Sequence, residues 1–207
     1  MLQSLLAETP ATGRTGSDLR TAINTTRVNA KSLLLADQIG PELESVFRLA
    51  VTNGIALAQM ETVRIAAGGQ SATLAGAIAI RDALIQYALA AEGLIIAATT
   101  FTSRDDVEAT MQSINAAYTP MEETTADAMA SMTYMALVAA HGAISYHLQM
   151  TAEPLPRMVD FEFATPLPTL VAAYELYADA GRADELRAEN HVVHPAFMKA
   201  TGRALTR

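Results

Sequence analysis

Few residues in this chain have the type and spacing to do chemistry. His191 and His194 stand three apart, with Glu189 close by, a spacing near that of metal ligands. In a loop such side chains need not converge, so His194 is expected to pack or hydrogen-bond in the turn before Pro195. His141 and His147 are six apart and fall on different faces of a helix. They read as one satisfied buried imidazole and one interface imidazole. Asp105 with Asp106, and Glu122 with Glu123, are paired carboxylates by type. Each pair is expected in a first helical turn, where negative charge complements the helix dipole. Gly68 and Gly69 lack the following Lys and Ser or Thr of a P-loop. No Ser, His or carboxylate has the neighbourhood of a catalytic set, and no bound metal or cofactor is expected. Tyr174 and Tyr177 are of a type that stacks on sugars, but at helical spacing on an apolar face both read as core, with the Tyr177 hydroxyl at the edge.

The elements that position these residues are expected to be mainly helical. The 207 residues are 51% hydrophobic but only 5% aromatic, so Ala, Leu, Ile, Val and Met must supply the core. Charged residues make up 17%, below the usual quarter, and mean hydropathy is +0.20. That balance predicts apolar surface covered by neighbouring proteins and not by water. The net charge is −8. Residues 1–150 carry 8 Lys and Arg against 14 Asp and Glu, and residues 151–207 carry 6 against 8. Neither part is basic, which argues against strong nucleic-acid binding. The absence of cysteine excludes disulfides and thiolate metal sites, and Met1 to Ala7 lacks the basic start and apolar length of a signal peptide.

Along the chain, residues 1–16 read as a mobile arm rich in Thr, Ser, Gly and Pro. Residues 17–152 read as a helical bundle. Asp18 marks a helix start, and the pattern runs to Ile39 and Gly40. A second helix opens at Pro41 and continues through Gly54 as a kink or close contact. Gly68 to Ser71 is a break, and a long helix follows from Thr73 to Thr99. Ser103 to Asp106 has the order of a capping box. Thr119 and Pro120 read as a second capped start. The uncharged run from Ala128 to Ala152 is long enough to span a bilayer. Its Ser, Thr, His and Gln content, and the lack of flanking cations, favour a central bundle helix buried on most sides, with no membrane span. After Glu153 and Pro154 a small module of residues 153–207 is expected. Val159, Phe161 and Phe163 alternate as in a strand.

Within that module, Thr169 to Ala178 reads as a helix with Leu170, Val171, Tyr174 and Tyr177 on one side, at helical spacing. Asp179 to Gly181 breaks it, with Gly181 free to adopt the left-handed conformation. Arg182 to Glu189 reads as a second short helix, anchored by Leu186 and stopped at Asn190. Phe197 is expected to anchor the chain after the His194–Pro195 turn.

The order Leu170, Ala173, Tyr174, Leu176, Tyr177, Asp179, Ala180, Arg182, Ala183, Asp184, Glu185, Leu186, Asn190, His194, Pro195, Phe197 resembles the C-terminal end of the DNA circularisation proteins of Mu-like phages and prophages. It is also similar to LysM-like modules of contractile-tail baseplates. The match covers roughly a quarter of the chain. Ala178 stands where Gly is usual, and Met198 to Arg203 replaces a Pro-Gly turn before the last strand.

The resemblance implies a helical bundle followed by a small LysM-like α+β module. It implies a non-enzymatic structural protein of the virion tail or baseplate hub, present in the host cytoplasm during assembly. It would pack against hub, tail-tube, tape-measure or wedge proteins, with copies arranged in a ring. Leu170, Tyr174, Tyr177, Arg182, Leu186, Asn190, His194, Pro195 and Phe197 would form the core or interface of its module. The family label, circularisation of injected DNA, is an alternative that the acidic charge disfavours. Peptidoglycan binding through the LysM-like end is another.

Overall fold

The computed structural model describes residues 2–9 and 14–206. Among them, α1 is Leu2–Glu8, α2 Arg14–Leu35, α3 Ile39–Thr52, α4 Leu57–Gly68, α5 Ala75–Ala98, α6 Arg104–Asp127 and α7 Ser131–Ala152. Then follow β1, Met158–Glu162; α8, Thr169–Tyr177; a 3-10 turn, Ala180–Arg182; α9, Ala183–Glu189; and β2, Thr201–Leu205. The architecture is mainly helical, with a small two-stranded antiparallel sheet near the C-terminus.

These elements form two compact units, Met1–Thr99 with Ser113–Tyr146, and Thr100–Gln112 with His147–Arg207. The division differs from a boundary at residue 153, because the start of α6 and the end of α7 group with the C-terminal segment. Backbone bonds show why. The Arg104 amide donates to the Pro156 carbonyl at 2.9 Å, and the Met158 amide donates to Asp105 Oδ2 at 2.6 Å.

The first unit has a core of Leu5, Leu19, Ile23, Val46, Phe47, Met60, Val63 and Ala88, among others. Leu5 is fully buried in α1, so Leu2–Glu8 is packed helix where the sequence suggested a mobile arm. Its apolar Leu2, Leu5 and Leu6 outweigh the loop-forming residues that follow. Arg14, Thr15 and Gly16 of that expected arm belong to α2, and its Met1 and residues 10–13 lie outside the described residues. Gly54 does not kink a continuous helix. It takes φ +76 between α3 and α4 and ends the first, a conformation glycine adopts without steric penalty.

Two helix starts came out differently. The Asp106 amide donates to Ser103 Oγ at 3.1 Å, as a cap should, while the Ser103 hydroxyl donates to Asp106 Oδ2 at 2.7 Å. The carboxylate therefore holds the hydroxyl and not a backbone amide. Thr119 and Pro120 open no new helix, since Pro120 lies inside α6. The Thr119 hydroxyl donates instead to the Asn115 carbonyl at 2.8 Å, one turn back. Glu122 and Glu123 are accordingly far from a helix N-terminus.

The run from Ala128 to Ala152 is helical as α7 from Ser131, but it is not buried on most sides. Leu137, Leu148 and Ala152 are buried, whereas Met132, Met135, Tyr146 and Met150 are exposed. Apolar residues all round this helix outnumber the positions that neighbours cover. Among the described residues no helix is long and apolar enough to cross a membrane.

In the second unit, β1 pairs antiparallel with β2, with Met158 opposite Leu205 and Phe161 opposite Gly202. The pairing continues past the strands. The Phe163 amide donates to the Ala200 carbonyl, Met198 to Leu167 and Thr169 to Pro195, at 2.7, 3.2 and 2.7 Å. The strand ends at Glu162, before Pro166 and Pro168, but the chain stays tied to its partner by the Phe163 and Thr169 amides and by the Leu167 carbonyl.

Candidate functional site

The residues singled out in the C-terminal module divide into a core and an outer face. Leu186 is fully buried, and Tyr177 is buried. They pack with Ala172, Ala173, Met198 and Ala204, flanked by Phe161, Phe163 and Leu176. Burial raises the Tyr177 phenol above its ordinary value, partly opposed by Arg182. The Arg182 guanidinium carbon sits 3.8 Å from the centre of the Tyr177 ring, and its Nε donates to Glu185 Oε2 at 3.2 Å. A stacked and paired cation of this kind closes the core edge while remaining partly solvated.

Leu170, Tyr174 and Phe197 are not core. They are 60%, 63% and 77% exposed. The buried side of α8 is Thr169, Ala172, Ala173, Leu176 and Tyr177, which fills the i, i+3, i+4, i+7, i+8 helical pattern completely. The large side chains of Leu170 and Tyr174 lie on the outer face of α8. Small ones at 172 and 173 allow α8 to approach the core closely. After Pro195 the Phe197 amide donates to the His194 carbonyl and the Met198 amide to Leu167. Neighbours in an extended segment point to opposite sides. Met198 therefore enters the core and Phe197 faces outward, its ring 5.2 Å from that of His194. His194 Nδ1 accepts from the Ala196 amide at 3.2 Å, while His191 is exposed. Among the described residues no three His, Asp or Glu side chains form a metal cluster.

Asn190 does more than stop α9. Its Nδ2 donates to the Leu186 and Arg203 carbonyls at 2.9 and 2.7 Å, and its Oδ1 accepts the Arg203 amide at 2.8 Å. One side chain thus caps α9 and satisfies the free edge of β2. Ala178, and not Gly181, takes the left-handed conformation that ends α8, with φ 55 and ψ 25. Gly181 lies in the 3-10 turn, its amide donating to Asp179 Oδ1 at 2.8 Å. A Cβ in the left-handed region is penalised by roughly 1 kcal/mol. Ala178→Gly is therefore expected to stabilise the module by about 0.5–1 kcal/mol, read as a higher urea midpoint with an unchanged slope. A lower midpoint would contradict this account of the helix end.

The first unit holds a buried polar cluster. Glu92 is fully buried and accepts from Arg64 Nε at 2.8 Å, while its Oε2 has no hydrogen-bond partner among the described residues. Burial pushes the Glu92 carboxyl up to about 7, with Arg64 pulling it down and Glu61 pushing it up. Glu61 accepts from the Ser113 hydroxyl at 2.8 Å, and the Tyr118 hydroxyl donates to the Leu89 carbonyl at 3.2 Å. Tyr118 is pushed up to about 12, first by burial and then by Glu92 and Glu122. His141 stacks on Tyr118 at 4.8 Å, and its ring nitrogens lie 2.9 and 2.8 Å from Glu122 Oε1 and Asn115 Oδ1. The arrangement joins helices through polar contacts and leaves one buried carboxylate oxygen, Glu92 Oε2, without a partner among the described residues.

Because the folded state raises the Glu92 pKa, it favours the protonated form. The stabilisation is complete below the ordinary carboxylate range and fades as pH rises through about 7. Stability should fall by roughly 3 kcal/mol between acid and neutral pH on this account. Glu92→Gln should remove that slope in urea titrations run at several pH values, whereas an equal slope in both proteins would refute the assignment to Glu92.

No family model and no curated protein matches the chain.

Proposed function

We propose that the chain is a structural component of a phage or prophage-derived contractile tail, in its baseplate or hub, and acts by packing against other proteins. Hub, tube, tape-measure and wedge proteins are its partners, and the virion tail is its location. The observation that carries this reading is the amount of apolar surface left outside. Leu170, Val171, Tyr174 and Phe197 face outward in the second unit, as do Met132, Met135, Val138 and Tyr146 in the first. Such surface favours a protein neighbour over water. The residue order of the C-terminal module supports the tail assignment.

Exposed Tyr174 and Phe197 also favour a second reading, in which the module holds peptidoglycan by stacking on sugar rings. The two separate on mutation. With Tyr174→Ala and Phe197→Ala, the packing reading expects tails that are missing or unstable in electron micrographs of lysates, and heads of normal number. Intact tails together with lost sedimentation on purified peptidoglycan would support the glycan reading and overturn the first.

A further inference from the structure

The outward stripe of α7 has a pattern that limits what can cover it. Met132, Met135, Ala139, Gly142 and Tyr146 recur at alternating steps of three and four, the spacing of a helix-pairing seam. All five are exposed, Met132, Met135 and Tyr146 by 84%, 68% and 66%. The opposite side of the helix is already engaged. Leu137 is buried, His141 is held by Glu122 and Asn115, and Ile144 lies so close to Gly93 that a Cβ there would meet it at 2.7 Å. The stripe is thus fixed facing away from its own unit's core.

We propose that this stripe pairs antiparallel with the same stripe of a second copy of the chain. The inference rests on the packing role proposed above and names one partner for it. Two observations select a second copy. The helix from Ser131 to Ala152 carries no Asp, Glu, Lys or Arg, in a chain of net charge −8. Two copies meet there without opposing charges, and no charged residue on the helix offers a handle to a partner recognised by charge. The stripe is also complementary to itself when reversed about Ala139. Met132 then faces Tyr146, Met135 falls over the small Gly142 and Ala143, and Ala139 meets its own copy at the closest approach. A parallel pair would place Gly142 on Gly142 between two bulky layers and leave a void, which is unfavourable. A Met sulfur beside a Tyr ring adds a favourable contact.

Area sets the strength. From Met132 to Tyr146 the seam is about 21 Å long at the rise of an α-helix. A single stripe of that length stays below the roughly 800 Å² per partner of a stable complex, the size class of weak, reversible association.

Sedimentation velocity of the full chain over about 1–200 µM tests this. The wild type should shift from monomer towards dimer across that range. Ala139→Glu should stay monomeric with an unchanged melting temperature, since residue 139 is exposed in the monomer. The protein has no cysteine of its own, so Ala139→Cys reports the axis directly. Under mild oxidation it should cross-link at least about tenfold faster than Ala58→Cys, on an exposed position of α4. A wild type that stays monomeric, an Ala139→Glu variant that dimerises like the wild type, or equal cross-linking at the two positions would each overturn the proposal. None of these results bears on the tail assignment, which is read from particles and not from the purified chain.

Discussion

Leu186→Ala is expected to destabilise the C-terminal module by roughly 2–5 kcal/mol, the usual range for truncating a fully buried leucine. Leu186 is the fully buried residue of α9, and it packs among Ala172, Ala173, Tyr177 and Met198. Alanines on the facing helix cannot swell to fill the space, so most of the cavity would persist. A module this small holds few kcal/mol in total, and the loss takes most of it. Hydrogen exchange at the β1 and β2 amides reads the effect locally, without requiring the two units to unfold together. Faster exchange there is expected in Leu186→Ala. In Phe197→Ala, whose side chain is already outside, the change should stay below about 1 kcal/mol. A reversed order of the two variants would contradict the core described for this module.

Gly202→Ala is expected to be as damaging, by overpacking. A Cβ at 202 would collide with Asn190 Oδ1, and would meet the Phe161 ring at 2.7 Å. Neither neighbour yields cheaply. Asn190 is held by bonds to Leu186 and Arg203, and Phe161 stands directly across the strand pair. Forcing an extra methyl into such a site costs roughly 1–3 kcal/mol. Displacing the Asn190 amide adds the loss of the Arg203 bonds, about 1 kcal/mol each. Urea titration followed by tyrosine ellipticity should show the midpoint falling well below that of the wild type. The double variant Asn190→Ala, Gly202→Ala should lose less than the sum of the two single changes, because one clash and one bond network are shared. Strict additivity would show that Gly202 and Asn190 act separately.

Much of the helical order is visible in the sequence, because helix boundaries here coincide with local chemistry. Ser103 caps α6, the Gly68–Gly69 pair ends α4, and the alternation of Val159, Phe161 and Phe163 marks β1. Faces were harder to read than elements. On α8 the stripe with the larger residues looked like core, while the stripe that packs is the small one at Ala172 and Ala173. Phe197 and Met198 show the same limit in extended chain, where a shift of one residue exchanges inside for outside. A fuller match to the i, i+3, i+4, i+7, i+8 pattern was the signal available at α8. For Asn190 no local signal announced a bond to Arg203, thirteen residues on. Nor does a uniformly apolar helix reveal which side its neighbours cover, and α7 exposes the side that sequence alone could not single out.

The most direct measurement of the proposed structural role is cryo-electron microscopy of purified particles from a strain expressing this chain. The account predicts density at the tip of the tail into which the α8–α9 hairpin and the β1–β2 pair fit. The exposed face of Leu170, Tyr174 and Phe197 should be covered there by a neighbouring tail protein. Complete tails whose density is fully explained by other proteins, with this chain absent from the particles by mass spectrometry, would contradict it.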